Sequence, residues 1–167
     1  LPGFAKDLKL NLERLLLAEP EQWQAEQRAA VAVACVAVLK DPGLARAVDA
    51  WATQQGVLSA QALDAARTAG ALMAMTNVYY RFVHLAGTHG QTPARLRMNG
   101  MNQNALGQEV FELASLAVSA LHGCGRCIAA HEAALAAQGV DADTRLQAVR
   151  LAAVLHAVAA VRASRTL

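Results

Sequence analysis

Gln55-Gly56-Val57-Leu58-Ser59-Ala60-Gln61-Ala62-Leu63-Asp64-Ala65-Ala66-Arg67-Thr68-Ala69-Gly70-Ala71-Leu72-Met73-Ala74 returns 83 residues later, in altered form, as the stretch from Gln138-Gly139-Val140 to Ala157. Beyond the shared Gln-Gly-Val, Leu63, Ala65, Arg67, Ala69, Leu72 and Ala74 fall on identical residues at Leu146, Ala148, Arg150, Ala152, Leu155 and Ala157. Alanine matches arise easily by chance, whereas the leucines, the arginine and the Gln-Gly-Val are harder to explain that way. In each copy the glycine closes one helix from the C-cap region. A capping side chain then opens the next: Ser59 in the first copy, Asp141 or Asp143 in the second. An internal repeat of this kind is one supersecondary unit used twice. The fold class it predicts is all-α, a helical bundle built from two degenerate helical repeats.

Helical periodicity extends outward from both copies. A first helix is expected from about Ala5 to Leu17, with Leu8, Leu12, Leu15 and Leu16 on one face, ending near Glu19-Pro20 because proline cannot continue it. A second segment runs from about Pro20 to Leu39 and stops at Lys40-Asp41-Pro42-Gly43. A third covers about Leu44 to Gln55, and Ser59 begins a helix reaching about Leu85. Gly87 to Asn104 is rich in loop formers and holds the best internal boundary. Helices are then expected over about Leu106–Leu121, Cys124–Gln138 and from Asp141 or Asp143 to the C-terminus. This is one domain over 1–167, with an N-terminal half of about 1–90 and a C-terminal half of about 105–167. No strand pattern or G-x-G-x-x-G loop is present, which argues against a dinucleotide-binding unit.

Composition narrows the function classes. Hydrophobic residues make up 55% of the 167, charged residues 17% and aromatics only 4%. That balance favours closely packed helices over sheet, and order over disorder. The net charge is only +2 and the basic residues are scattered, so no nucleic-acid partner is expected. The longest apolar run, Ala29 to Leu39, is shorter than the ~20 residues that span a bilayer, so no membrane association is expected either. Leu-Pro-Gly-Phe-Ala-Lys at the start lacks the basic and apolar regions of a secretory signal, which leaves the cytoplasm as the default compartment. Three cysteines are an odd number for a disulfide framework; a lone Cys-x-x-Cys pair reads as redox or metal chemistry.

That pair lies in His122-Gly123-Cys124-Gly125-Arg126-Cys127-Ile128-Ala129-Ala130-His131. At a helix start, free N–H groups and the positive end of the dipole stabilise a thiolate, and i, i+3 spacing brings both sulfurs to one face within disulfide reach. His131, four residues after Cys127, can take the thiol proton or hold the thiolate by charge. Glu112 sits in Val110-Phe111-Glu112-Leu113-Ala114-Ser115-Leu116-Ala117-Val118, a helix with scarcely a polar face. A carboxylate there must be paired, and a histidine is the natural partner, which gives a Glu–His–Cys relay. Under the repeat, Asp41, Leu44 and Val48 stand where Cys124, Cys127 and His131 stand, so only the second half can carry this chemistry. A zinc site using Cys124, Cys127 and His131, with His122 or Glu112 as fourth ligand, is a rival reading. No bound metal or cofactor is expected. Cys35 reads as a core residue, Met73, Met75, Met98 and Met101 as core or loop packing, and Trp23 and Trp51 as packing anchors. Tyr79 and Tyr80 read as core before pocket, and His84, His89 and His156 as structural or exposed.

Glu112, then Cys124-x-x-Cys127-x-x-x-His131, closely resembles the signature of the alkylhydroperoxidase D family, within the carboxymuconolactone decarboxylase-like superfamily. Leu1-Pro-Gly-Phe-Ala-Lys-Asp-Leu-Lys-Leu-Asn-Leu, Met73-Ala-Met-Thr-Asn-Val-Tyr-Tyr-Arg, Leu96-Arg-Met-Asn and Phe111-Glu-Leu-Ala-Ser-Leu-Ala-Val-Ser-Ala extend the resemblance along nearly the whole chain. It implies an all-helical fold, a homotrimer, and a thiol peroxidase reducing organic hydroperoxides. It further implies dihydrolipoamide as electron donor, borne on a lipoyl-bearing 2-oxoacid dehydrogenase acyltransferase, and an alkyl hydroperoxide reductase C-type (AhpC-type) peroxiredoxin as an additional partner. Glu112, Cys124, Cys127 and His131 match the family's functional positions, with Cys124 and Cys127 as the redox disulfide. Relatives can carry a proton-relay histidine just before the second cysteine, where this chain has Arg126. Two substitutes are open: Arg126 lowering the thiol pKa by its fixed charge, or His122 shuttling protons from the other side. The expected division of labour is peroxide at Cys127 and reductant at Cys124. A thiol–disulfide adaptor without significant peroxidase activity of its own is the alternative from another class.

Overall fold

The computed structural model describes residues 1–17, 23–102 and 105–164. Its helices are α1 (Lys6–Leu16), α2 (Ala25–Val38), α3 (Pro42–Gln54), α4 (Ala60–Ala86), α5 (Gln108–His122), α6 (Gly125–Ala137) and α7 (Ala142–Ala163). Among the described residues there is no strand. The fold is all-α.

The two helices with no polar face form the centre. Every residue of α2 from Gln27 to Val36, and of α5 from Val110 to Ser119, is buried. A helix apolar all round has to be enclosed, and α2 and α5 meet this need by packing on each other between α4 and α7, each of which touches both. Leu113 and Leu116 of α5, with Leu151 and Leu155 of α7, are shut off from solvent, each side chain contributing roughly 1.5–3 kcal/mol by burial. α1 lies along α7 with Leu15 and Leu16 buried and Leu8 and Leu12 packed on the core. Trp23 anchors the end of α1, its indole N–H donating to the Leu15 carbonyl at 3.1 Å.

Element boundaries differ from expectation where capping chemistry is read as a break. Asp41-Pro42-Gly43 is a helix start: the Asp41 carboxylate accepts from Leu44 N–H at 2.9 Å and Pro42 holds the first turn. Proline is suited there because its missing N–H has no intrahelical partner to lose. α2 opens at a Gln24 capping box, with Gln24 N–H donating to Gln27 Oε1 at 2.8 Å. The expected breaks at Glu19-Pro20 and Asn104, and the last residues of the final helix, lie outside the described residues.

The helices follow in two like series, 14, 13 and 27 residues in α2–α4 and 15, 13 and 22 in α5–α7. Gly56 and Gly139 follow α3 and α6 with φ of +66° and +81°. Ser59 and Asp141 then cap α4 and α7, accepting from Ala62 N–H at 3.1 Å and Thr144 N–H at 3.0 Å. Among the described residues one helix, α7, is long and apolar enough to cross a membrane by length and composition. Its Arg145, Arg150 and Asp143 form ion pairs and its apolar side packs on α1, α2 and α5.

Candidate active site

α5 stops at His122 because Gly123 takes a left-handed conformation, φ +62°, which turns the chain at once into α6. Cys124 then occupies the N-cap of α6, its sulfur accepting from Cys127 N–H at 3.3 Å. Asp41 does the same for α3 with a carboxylate. Sulfur thus stands where a helix start favours an anion, the setting that stabilises a thiolate. Cys124 and Cys127 are joined by a disulfide, with Cα atoms 5.2 Å apart.

The two sulfurs are not equivalent. Cys124 is 0% exposed, while Cys127 is 7% exposed and lines a cleft of about 260 Å³ between α4, α6 and the turn at Asn99–Met101. His131 lines the same cleft, one helical turn beyond Cys127. Behind it, Glu112 (7% exposed) receives the His131 Nδ1 at 2.7 Å on one oxygen and the Gln108 amide at 3.2 Å on the other. A carboxylate only accepts, so Nδ1 carries the hydrogen and Nε2 is left as the basic nitrogen. Cys127 is thus the sulfur that faces the cleft, while Cys124 is enclosed.

Of the two residues offered in place of the missing histidine, the structure brings only Arg126 to the cleft, with its guanidinium carbon 5.2 Å from the centroid of the Tyr80 ring. His122 faces α4 instead. Its Nδ1 accepts from the Asn77 amide at 3.2 Å, while Asn77 Oδ1 accepts from the Ser119 hydroxyl at 3.1 Å and Arg81 donates to the His122 carbonyl at 2.6 Å. Burial first, and the Arg81 charge second, hold the His122 pKa below its usual value. Cys35 is wholly enclosed and burial pushes its thiol pKa far up, so it is inert.

The remaining walls are Met73, Thr76, Tyr80, Met98, Met101 and Ala130. From the sequence, the methionines and Tyr80 are expected to be packing residues. They reach the site because α4 and the loop after it fold over α6, a long-range arrangement with no local signature. The nearest available signal is that Met73 and Tyr80 lie one period of two turns apart on α4. Among the described residues, no group of three or more His, Cys, Asp or Glu could hold a metal ion.

The family model described as the carboxymuconolactone decarboxylase family matches residues 88–167, the part that holds α5, α6 and α7. The chain is 45% identical over 163 residues to the alkyl hydroperoxide reductase AhpD of Acidobacterium capsulatum, covering 96% of this chain and 87% of that protein. With the AhpD of a Bradyrhizobium species the identity is 47% over 161 residues, covering 95% and 87%. With that of Rhizorhabdus wittichii it is 46% over 167 residues, covering 98% and 94%.

Proposed function

The chain belongs to the AhpD group of the carboxymuconolactone decarboxylase family, and on that premise we propose that it is an alkyl hydroperoxide reductase working through the Cys124–Cys127 pair. The observation that carries the site assignment is the exposure of a single sulfur, Cys127, in an apolar cleft beside a His131 held by a buried carboxylate. In the reduced protein His131 Nε2 takes the Cys127 proton, and Glu112 stabilises the imidazolium that forms. The thiolate attacks the terminal oxygen of the hydroperoxide. The O–O bond breaks, the leaving alkoxide takes the proton from His131 and departs as alcohol, and Cys127 becomes a sulfenic acid. The Cys124 thiol displaces water from it and closes the disulfide. A dithiol donor then attacks Cys127 through the cleft and restores both thiols.

Dihydrolipoamide on a lipoyl-bearing 2-oxoacid dehydrogenase acyltransferase is the proposed donor, with an AhpC-type peroxiredoxin as an additional acceptor, in the cytoplasm. A flexible dithiol arm suits a recessed sulfur better than a flat protein surface does. The proposed assembly is a homotrimer. Its support is a stripe on α4, Ala71, Met75, Val78, Phe82 and Leu85, with Phe82 58% and Leu85 77% exposed. The spacing of four and three residues is that of a helix face seated on another chain.

Turnover of tert-butyl hydroperoxide by purified protein with dihydrolipoamide, against thioredoxin as donor, tests the reading. Faster turnover with dihydrolipoamide is expected. Electron transfer through the disulfide without peroxide consumption would instead establish an adaptor.

A further inference from the structure

We propose that Arg126 makes this cleft selective for hydroperoxides that also carry a carboxylate, fatty-acid hydroperoxides being the class, over neutral alkyl hydroperoxides. This rests on the peroxidase reading above. The cleft is otherwise uncharged on its walls: Met73, Thr76, Tyr80, Met98, Met101 and Ala130 present thioether, methyl and ring surface around Cys127 and His131. Such walls suit an alkyl or alkenyl chain, methionine being polarisable and adaptable in shape. Into this setting Arg126 brings one guanidinium.

Arg126 differs from the four arginines held in ion pairs. Arg67, Arg145, Arg150 and Arg162 each meet a carboxylate within 3.0 Å. Among the described residues no carboxylate meets Arg126, whose guanidinium lies against the Tyr80 ring. Glu112, the carboxylate behind His131, has both oxygens engaged. The ring lies beside the guanidinium, and the planar N–H fork of an arginine matches the two oxygens of a carboxylate. A substrate with an acid headgroup can therefore pair with Arg126 while its chain lies along the methionines and its peroxide group reaches Cys127.

Arg126 has a competing use, holding the Cys127 thiolate by charge. That effect acts on the nucleophile and speeds every hydroperoxide alike. Selectivity between an acid and its ester separates the two uses, because only carboxylate recognition moves it. The experiment compares kcat/KM for linoleic acid hydroperoxide, its methyl ester and tert-butyl hydroperoxide, in the wild type, Arg126→Gln and Arg126→Lys, with one donor throughout. The wild type should favour the acid over the ester about tenfold, the size of a charge-assisted contact. Arg126→Gln should bring the ratio to about one, and Arg126→Lys should keep part of it. An acid-to-ester ratio equal in wild type and Arg126→Gln, with turnover continuing, would overturn the selectivity and leave the peroxidase reading intact. A wild type that consumes none of the three would overturn both.

Discussion

Glu112 shows how a single residue can be placed from sequence by cost alone. A carboxylate in an all-apolar helix needs a partner, and His131 is that partner at 2.7 Å. Glu112→Gln keeps the shape and removes the charge, so it should lower kcat by about 10²-fold while KM changes little, as expected for loss of base activation; full activity in steady-state assays would refute the relay. Cys124→Ser and Cys127→Ser should each abolish turnover, with dimedone trapping a sulfenic acid in Cys124→Ser only. His122 makes a pH prediction. Its folded-state pKa lies below the ordinary value, so as pH falls below about 6.5 the unfolded chain binds the proton first and stability drops. The wild-type Tm should therefore fall more between about pH 7.5 and 5.5 than that of His122→Gln; parallel profiles would contradict this. Spacing made Cys124, Cys127 and His131 legible because all sit within one helix and its cap. The enclosure of Cys124 was not legible, since it depends on what packs over the turn.

At the scale of elements, the sequence located the helices well and mistook a cap for a break. Asp41-Pro42-Gly43 contains the residues of a loop and of a helix start alike; only the Asp41–Leu44 hydrogen bond decides. Asp41→Ala removes both that bond and the contact with Arg162 at 2.6 Å, and should cost about 1 kcal/mol in chemical denaturation. The meeting of α2 and α4 is closer than their alanine-rich sequences reveal. A Cβ on Gly70 would stand 2.6 Å from the Ala34 carbonyl oxygen. Gly70→Ala gains about 1 kcal/mol of helix propensity but forces apart two packed backbones, costing about 1–3 kcal/mol. A net loss of stability is expected in thermal melts, and a raised Tm would show that α4 can shift freely.

Across the whole molecule, two like helical series share one core, and only the second carries Glu112, Cys124, Cys127 and His131; Ala29, Asp41, Leu44 and Val48 stand at the matching places in the first. The walls of the cleft come from both series, Met73, Thr76 and Tyr80 from α4 and Cys127 and His131 from α6. That explains why the chemistry was readable from one segment while the substrate surface was not. The apolar stripe on α4 belongs to this scale too. Phe82→Glu should convert the proposed trimer to monomer in sedimentation analysis, and an unchanged sedimentation coefficient would contradict an interface on this stripe. The most direct test of the central claim is a count of thiols and product in one turnover. Pre-reduced protein is given excess tert-butyl hydroperoxide without a donor. The account predicts one alcohol formed and two thiols lost per chain, with Cys35 still titratable after unfolding. Alcohol formation with all three thiols retained, or no alcohol at all, would contradict it.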